Sequence, residues 1–205
     1  MQAFSMDEIL ALRGTGQAPP PWESMTLPEL YAKVITPREW FPTLFQEARS
    51  CGLIPFASVF GWESLAMLEL LGCAAYKIAK PEQNCVWLIN AAGGTGKPVL
   101  ISGAFLGRDS VAYIYCPDGY PPQRVALSVL QPWYDERVMI QGFLGLSCHL
   151  PDPFVAPLAG ACGAHYLEFH LTLDDGVPTL DDCVNLTASQ FTLMVDLTRR
   201  AEAML

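Results

Sequence analysis

The chain has 205 residues, 51% apolar and only 16% charged, with 12 basic against 21 acidic side chains and a formal net charge of −9. That length holds one domain with a substantial core, and that apolar content excludes an intrinsically disordered chain. No run of Lys or Arg interrupts the acidic balance, which argues against nucleic acid and anionic membranes as partners, and no apolar stretch approaches the ~20 residues of a membrane span.

Met1–Asp7 has neither the basic nor the apolar segment of a signal peptide. The seven cysteines (Cys51, Cys73, Cys85, Cys116, Cys148, Cys162 and Cys183) are odd in number and without CxxC spacing. The expectation is reduced thiols in a cytoplasmic protein.

Residues 1–35 read as an N-terminal extension, mostly loop, with a short amphipathic piece at Met6–Leu12 and a Pro19-Pro20-Pro21 run. Thr36-Pro37-Arg38-Glu39 has the spacing of a capping box and predicts a helix running to about Ser50. From there residues 36–205 alternate with a short period. Strands are predicted at Ile54–Phe60, Ala74–Ala79, Val99–Ser102, Val111–Cys116, Val138–Gln141 and His165–His170. Helices are predicted at Glu63–Leu71, Glu82–Ala92, Pro153–Cys162 and Ala188–Met204. The eight residues Gly103–Ser110 are too few for a crossover helix and predict a bare loop.

Short, nearly all-apolar strands separated by helices indicate an α/β fold with a parallel sheet, either open and doubly wound or closed as a barrel. Ser102, Asp118, His149 and His170 fall at or just past strand ends, and polar groups converging from several strand ends suit a barrel mouth.

His149 and His170 are the most informative side chains. Imidazoles from neighbouring strand ends can share a divalent Mn, Fe, Co or Zn ion; the alternative is a pair of satisfied polar residues on a barrel rim. His165 begins its strand on the opposite rim and reads as structural. Lys77 lies within an apolar strand, where an ammonium needs a partner: an anionic substrate, or else Glu82 or Glu168. Glu82, just past that strand, is a candidate general base. Gly93-Gly94-Thr95-Gly96-Lys97-Pro98 is not a phosphate loop, because Ala91 replaces the first glycine, Pro98 the Ser/Thr, and a strand follows.

Thr26-Leu27-Pro28-Glu29-Leu30-Tyr31, Thr36-Pro37-Arg38-Glu39-Trp40, Ile54–Phe60, Ala75-Tyr76-Lys77-Ile78-Ala79, Gly96-Lys97-Pro98 with Ile101-Ser102, Tyr120-Pro121, Gly145-Leu146-Ser147-Cys148-His149 and Glu168-Phe169-His170-Leu171-Thr172 follow in that order. Together, over about residues 24–204, they resemble the sialic acid synthase family and its pseudaminic and legionaminic acid branch. The resemblance implies an incomplete (β/α) TIM-type barrel corresponding to strands 3 to 8. It implies a carbon–carbon bond-forming transferase that condenses phosphoenolpyruvate with a sugar aldehyde and releases phosphate.

In that family His149 and His170 would ligate the divalent metal, typically Mn, with Mg, Co or Zn as alternatives. Lys77, Ser102 and Ser147 would hold phosphoenolpyruvate, Glu82 would handle the proton or water, Asp118 and Tyr120 would lie against substrate, and Asp181 would bind sugar hydroxyls. Departures from the family pattern are also visible. The first two barrel strands and the C-terminal antifreeze-like domain have no counterpart. Cys148 replaces the usual Asp, Lys80 a serine, and Asp118 the usual Asn or Ser. A homo-oligomer or a second chain supplying the missing strands is therefore expected. Non-catalytic sugar or phosphate binding, and a different metal-dependent lyase or aldolase reaction, stand as alternatives.

Overall fold

The computed structural model describes residues 1–103, 111–130, 133–135 and 138–204. The chain divides into two compact units, one built from Met1–Ile101 and the other from Ser102 and the residues from Tyr113 onward. The predicted loop over 103–110 falls almost wholly outside the described residues.

The first unit contains β1 (Gln2–Ala3), α1 (Met6–Arg13), α2 (Leu27–Val34), α3 (Phe41–Ser50), β2 (Ala57–Val59), α4 (Trp62–Leu70), β3 (Tyr76–Ile78), α5 (Val86–Gly93) and β4 (Val99–Gly103) up to Ile101. Its strands are parallel in the order β1-β2-β3-β4, with Gln2 opposite Ser58, Ser58 opposite Lys77, and Lys77 opposite Leu100. Side chains alternate along a strand, so Tyr76 and Ile78, both fully buried, point to the opposite face from half-buried Lys77.

Residues 1–35, expected to be mostly loop, hold a strand and two capped helices. Ser5 and Glu8 cap α1 reciprocally: the Glu8 amide donates to Ser5 Oγ at 3.2 Å and the Ser5 amide to Glu8 Oε2 at 3.0 Å. Glu8 Oε1 also accepts the Ser64 amide at 3.0 Å, which ties α1 to the start of α4. At α2 the Thr26 amide and hydroxyl both donate to Glu29, at 2.7 and 2.8 Å. The capping box predicted at Thr36 does not form. Arg38–Trp40 is a turn of 3₁₀ helix and α3 starts at Phe41, with Pro42 in its first turn.

The second unit contains β5 (Ala112–Tyr115), β6 (Trp133–Asp135), β7 (Val138–Gln141), β8 (Gly145–Cys148), α6 (Val155–Ala161), β9 (Tyr166–Thr172), β10 (Asn185–Thr187) and α7 (Ala188–Glu202). Here the parallel order is β5-β8-β9-β10. Val138–Gln141, predicted as a barrel strand, instead pairs antiparallel with β6, and the parallel strand in its place is β8. β10 was not anticipated. One buried residue, Leu186, between two polar ones leaves little periodic signal.

Register-matched residues of parallel neighbours share a face. On one face Leu146 and Cys148 of β8, Leu167 and Phe169 of β9, and Leu186 of β10 pack against Val155, Ala156 and Ala159 of α6 and Met194 of α7. The other face is polar, with Ser147 opposite Glu168 and His170 opposite Asn185. Gly145 opens β8 because a Cβ there would lie 1.8 Å from the Tyr166 carbonyl oxygen. Among the described residues, no helix is long and apolar enough to cross a membrane.

Candidate metal and substrate site

His149 and His170 come together in the second unit. His149 follows β8 two residues after buried Ser147, and His170 lies on β9 two residues after Glu168, on the polar face. Their ring centres stand 5.0 Å apart with planes inclined at 58°. Tyr120 completes the group, its ring centre 4.8 Å from His149 and 5.8 Å from His170.

A short turn after β5 presents Tyr120. Gly119 has φ of 105°, and a Cβ there would meet the Pro121 carbonyl oxygen at 2.9 Å, so the turn requires glycine. The Tyr120 hydroxyl donates to Asp181 Oδ1 at 2.7 Å, and Asp181 Oδ2 lies 3.7 Å from His170 Nδ1. Burial, then the bond to Asp181, raises the Tyr120 phenol above its ordinary value, so it stays a donor throughout the neutral range. His149 Nδ1 lies 3.9 Å from Cys116 Sγ, a contact the sequence did not reveal.

The spacing of the imidazoles suits a shared ion. With a metal–nitrogen distance of about 2 Å, a ring centre sits about 3 Å from the metal, and two ligands at roughly tetrahedral or octahedral angles have centres about 5 Å apart. Among the described residues, no group of three or more His, Cys, Asp and Glu side chains converges on one point. An ion held by these two imidazoles without a closed cage would keep coordination positions for substrate.

The remaining predicted residues separate by environment. Ser147 is buried on the polar face of β8, directly opposite Glu168 in the register. Asp118 is exposed at the start of the Tyr120 turn. Ser102, 1% exposed at the end of β4, has the one buried side-chain oxygen among the described residues with no hydrogen-bond partner. A stranded buried hydroxyl is costly, and a ligand oxygen would relieve it.

In the first unit Lys77 is half-buried on β3. Glu82 sits in a 3₁₀ turn after β3 and is gripped by Arg13 of α1, Nε to Oε1 at 2.6 Å and Nη2 to Oε2 at 2.9 Å. Arg13 also donates to the Tyr31 hydroxyl at 2.8 Å. Burial works against the guanidinium charge, but the bonds to Glu82 outweigh it and hold Arg13 above its ordinary value. A carboxylate locked in this fork is a poor fit to the general-base role expected for Glu82.

The chain resembles known proteins over nearly its whole length. It is 29% identical over 195 residues to a pseudaminic acid synthase from Helicobacter pylori, covering 88% of this chain and 57% of that protein. It is 28% identical over 200 residues to one from Campylobacter jejuni, covering 90% and 58%. The chain thus spans less than two thirds of the length of these relatives. Among solved structures, an N-acetylneuraminic acid synthetase from Leptospira borgpetersenii superposes with a TM-score of 0.76 at 21% identity, over 97% of this chain and 77% of that one. The spore coat polysaccharide biosynthesis protein SpsE from Bacillus subtilis superposes with a TM-score of 0.68 at 22% identity, over 97% and 62%. At that identity the likeness establishes the fold, an α/β architecture of the synthase TIM-barrel type, as the sequence implied. The model of the NeuB family matches residues 1–205, and the chain belongs to that family.

Proposed function

We propose that this chain carries out, or contributes to, a metal-dependent condensation of phosphoenolpyruvate with a sugar aldehyde of the nonulosonic acid synthase kind. The observation that carries this reading is the pair His149 and His170, centres 5.0 Å apart and backed by Asp181 and Tyr120, in a member of this family. His149 and His170 would hold a divalent ion, Mn or else Mg, Co or Zn, which when bound polarises the aldehyde oxygen. Tyr120 holds Asp181 in place, and Asp181, with exposed Asp118 at the same turn, offers acceptors to sugar hydroxyls. Buried Ser102 and Ser147 offer hydroxyls to the phosphate or carboxylate of phosphoenolpyruvate, and the role of Lys77 as a charge for the same ligand rests on the family resemblance alone.

A second reading, a sugar- or phosphate-binding subunit without full catalysis, draws support from the Arg13–Glu82 fork, which occupies the carboxylate expected to move the proton. Whether the chain works alone, as a homo-oligomer or beside a second chain is part of the same test. Purified protein is loaded with Mn, and phosphate release from phosphoenolpyruvate is followed with a panel of amino-sugar aldehydes, while light scattering reads the assembly. Aldehyde-dependent release that His149→Ala and His170→Ala abolish supports the first reading. Phosphoenolpyruvate or sugar binding without release under every condition supports the second.

A further inference from the structure

Each imidazole of the pair turns its Nδ1 toward a partner. His170 Nδ1 faces Asp181 Oδ2 at 3.7 Å, and His149 Nδ1 faces Cys116 Sγ at 3.9 Å. Cys116 is 5% exposed at the end of β5, and its sulfur also lies 3.9 Å from the Pro117 carbonyl oxygen. A thiol has one proton. Given to Pro117, it leaves a sulfur lone pair for His149, which must then carry its own proton on Nδ1 and its lone pair on Nε2. Given to His149, it puts the ring proton on Nε2 and removes the thiol donor from the Pro117 carbonyl. Only the first arrangement uses both contacts, and buried carbonyls are seldom left without a donor.

We infer that Cys116 is a positioning residue: it fixes the tautomer of His149 with the proton on Nδ1, so that Nε2, on the far side of the ring, presents a lone pair. A metal-ligating imidazole needs this assignment, and partners of the other ring nitrogen commonly set it. The tautomer rests on the two Cys116 contacts. Its use for a metal rests on the function proposed above.

The test reads both. Long-range proton–nitrogen correlation spectra of the metal-free, nitrogen-15-labelled protein report which nitrogen of His149 is protonated, with the signals assigned through His149→Gln. The expected result is Nδ1–H in the wild type, a shift toward Nε2–H in Cys116→Ala, and recovery in Cys116→Ser, whose hydroxyl can give and accept the same bonds. Mn affinity by calorimetry should weaken about tenfold in Cys116→Ala and largely return in Cys116→Ser. If Cys116→Ala does not fold, Cys116→Val, which keeps the side-chain volume, takes its place. Wild-type His149 protonated on Nε2, or a tautomer unmoved by loss of the thiol, overturns the inference. A tautomer that follows Cys116 in a protein that binds no Mn upholds the inference and removes the metal from the proposed function.

Discussion

The Tyr120 hydroxyl and the Asp181 carboxylate are bonded at 2.7 Å across 61 residues of sequence, and the ring of the same tyrosine lies against both imidazoles. One side chain thus does two separable things. Tyr120→Phe keeps the ring and removes the bond. A hydrogen bond to a charged group contributes about 1.5–3 kcal/mol. With the Asp181 side chain 36% exposed, water replaces part of that, so the expected loss is about 1 kcal/mol. Tyr120→Ala should cost clearly more, because the ring packing also goes. Urea denaturation of the two variants against wild type measures both.

The Arg13–Glu82 fork makes a contrasting prediction in the first unit. The Glu82 side chain is 3% exposed and that of Arg13 25%, so removing either partner strands the other in a poorly solvated place. Breaking a buried pair in this way costs about 3–5 kcal/mol. The partial exposure of Arg13 places Glu82→Ala near the lower end, while the double variant Arg13→Met, Glu82→Leu should recover most of the loss. Thermal unfolding of the singles and the double distinguishes these outcomes. If Glu82→Gln keeps its stability yet abolishes phosphate release, the carboxylate has the proton-transfer role that the family resemblance implied.

The two clusters differ in how far the sequence reveals them. The histidine pair could be read because His149 and His170 follow short apolar runs, and the periodicity of parallel strands carries over to the residues at their ends. The helices α4 to α7 fell close to their predicted spans for the same reason. β1, with Gln2 exposed and only Ala3 buried, is too short to show any period, and its place beside β2 depends on tertiary pairing. The same limit hid Arg13, in a stretch read as peripheral, as the partner of Glu82. Val138–Gln141 reads as an apolar strand on its own residues, and nothing local says that it pairs antiparallel with β6 while Gly145–Cys148 joins the parallel run. Thr36 had the right spacing for a cap, but Pro42 offered a competing helix start at Phe41. The Cys116–His149 contact joins two strands and has no signature along the chain.

Gly145 is a point where substitution should not be tolerated. A methyl group there would lie 1.8 Å from the Tyr166 carbonyl oxygen and 2.6 Å from its carbon, both rigid backbone atoms of the neighbouring strand. Gly145→Ala must push β8 and β9 apart where Ser147 and Glu168 are paired two residues on. Overpacking against backbone costs at least about 1–3 kcal/mol, with larger values where nothing can yield. The expected outcome is a marked fall in soluble yield and melting temperature. Gly142→Ala, with nothing within 4 Å of the added methyl, serves as the control.

Alkaline pH should weaken the second unit through Cys148. Burial pushes this thiol from an ordinary value of 9.0 up to about 11. Below pH 9 it is protonated folded and unfolded, and its contribution to stability is fully present. Between pH 9 and about 11 the unfolded thiol loses its proton while the folded one keeps it, so stability falls as pH rises. The gap corresponds to roughly 2–3 kcal/mol by pH 11. Burial also raises the phenols of Tyr120 and Tyr166, which add to the decline from about pH 10 upward. Urea midpoints measured at pH 8, 9.5 and 10.5 should fall in that order. Cys148→Ala, less stable at pH 8 through its lost packing, should show the shallower decline.

Metal addition should stabilise the protein only through the paired imidazoles. An ion that binds the folded chain at 100 times its dissociation constant adds about 2.7 kcal/mol of stability, a rise of several degrees in melting temperature for a chain of this size. With two protein nitrogens and the other positions left to water or substrate, the affinity should be modest and the rise should saturate only at excess metal. His149→Ala and His170→Ala should each remove the rise, because a single imidazole cannot chelate. His165→Ala should retain it, since His165 is exposed at the opposite end of β9 from His170. Asp181→Asn should reduce the rise without abolishing it, because Asp181 stands 3.7 Å from His170 Nδ1 and orients that ring. A melting temperature that rises equally in the His149→Ala and His170→Ala variants would place the ion elsewhere and leave the imidazole pair as a packed polar contact beside Tyr120.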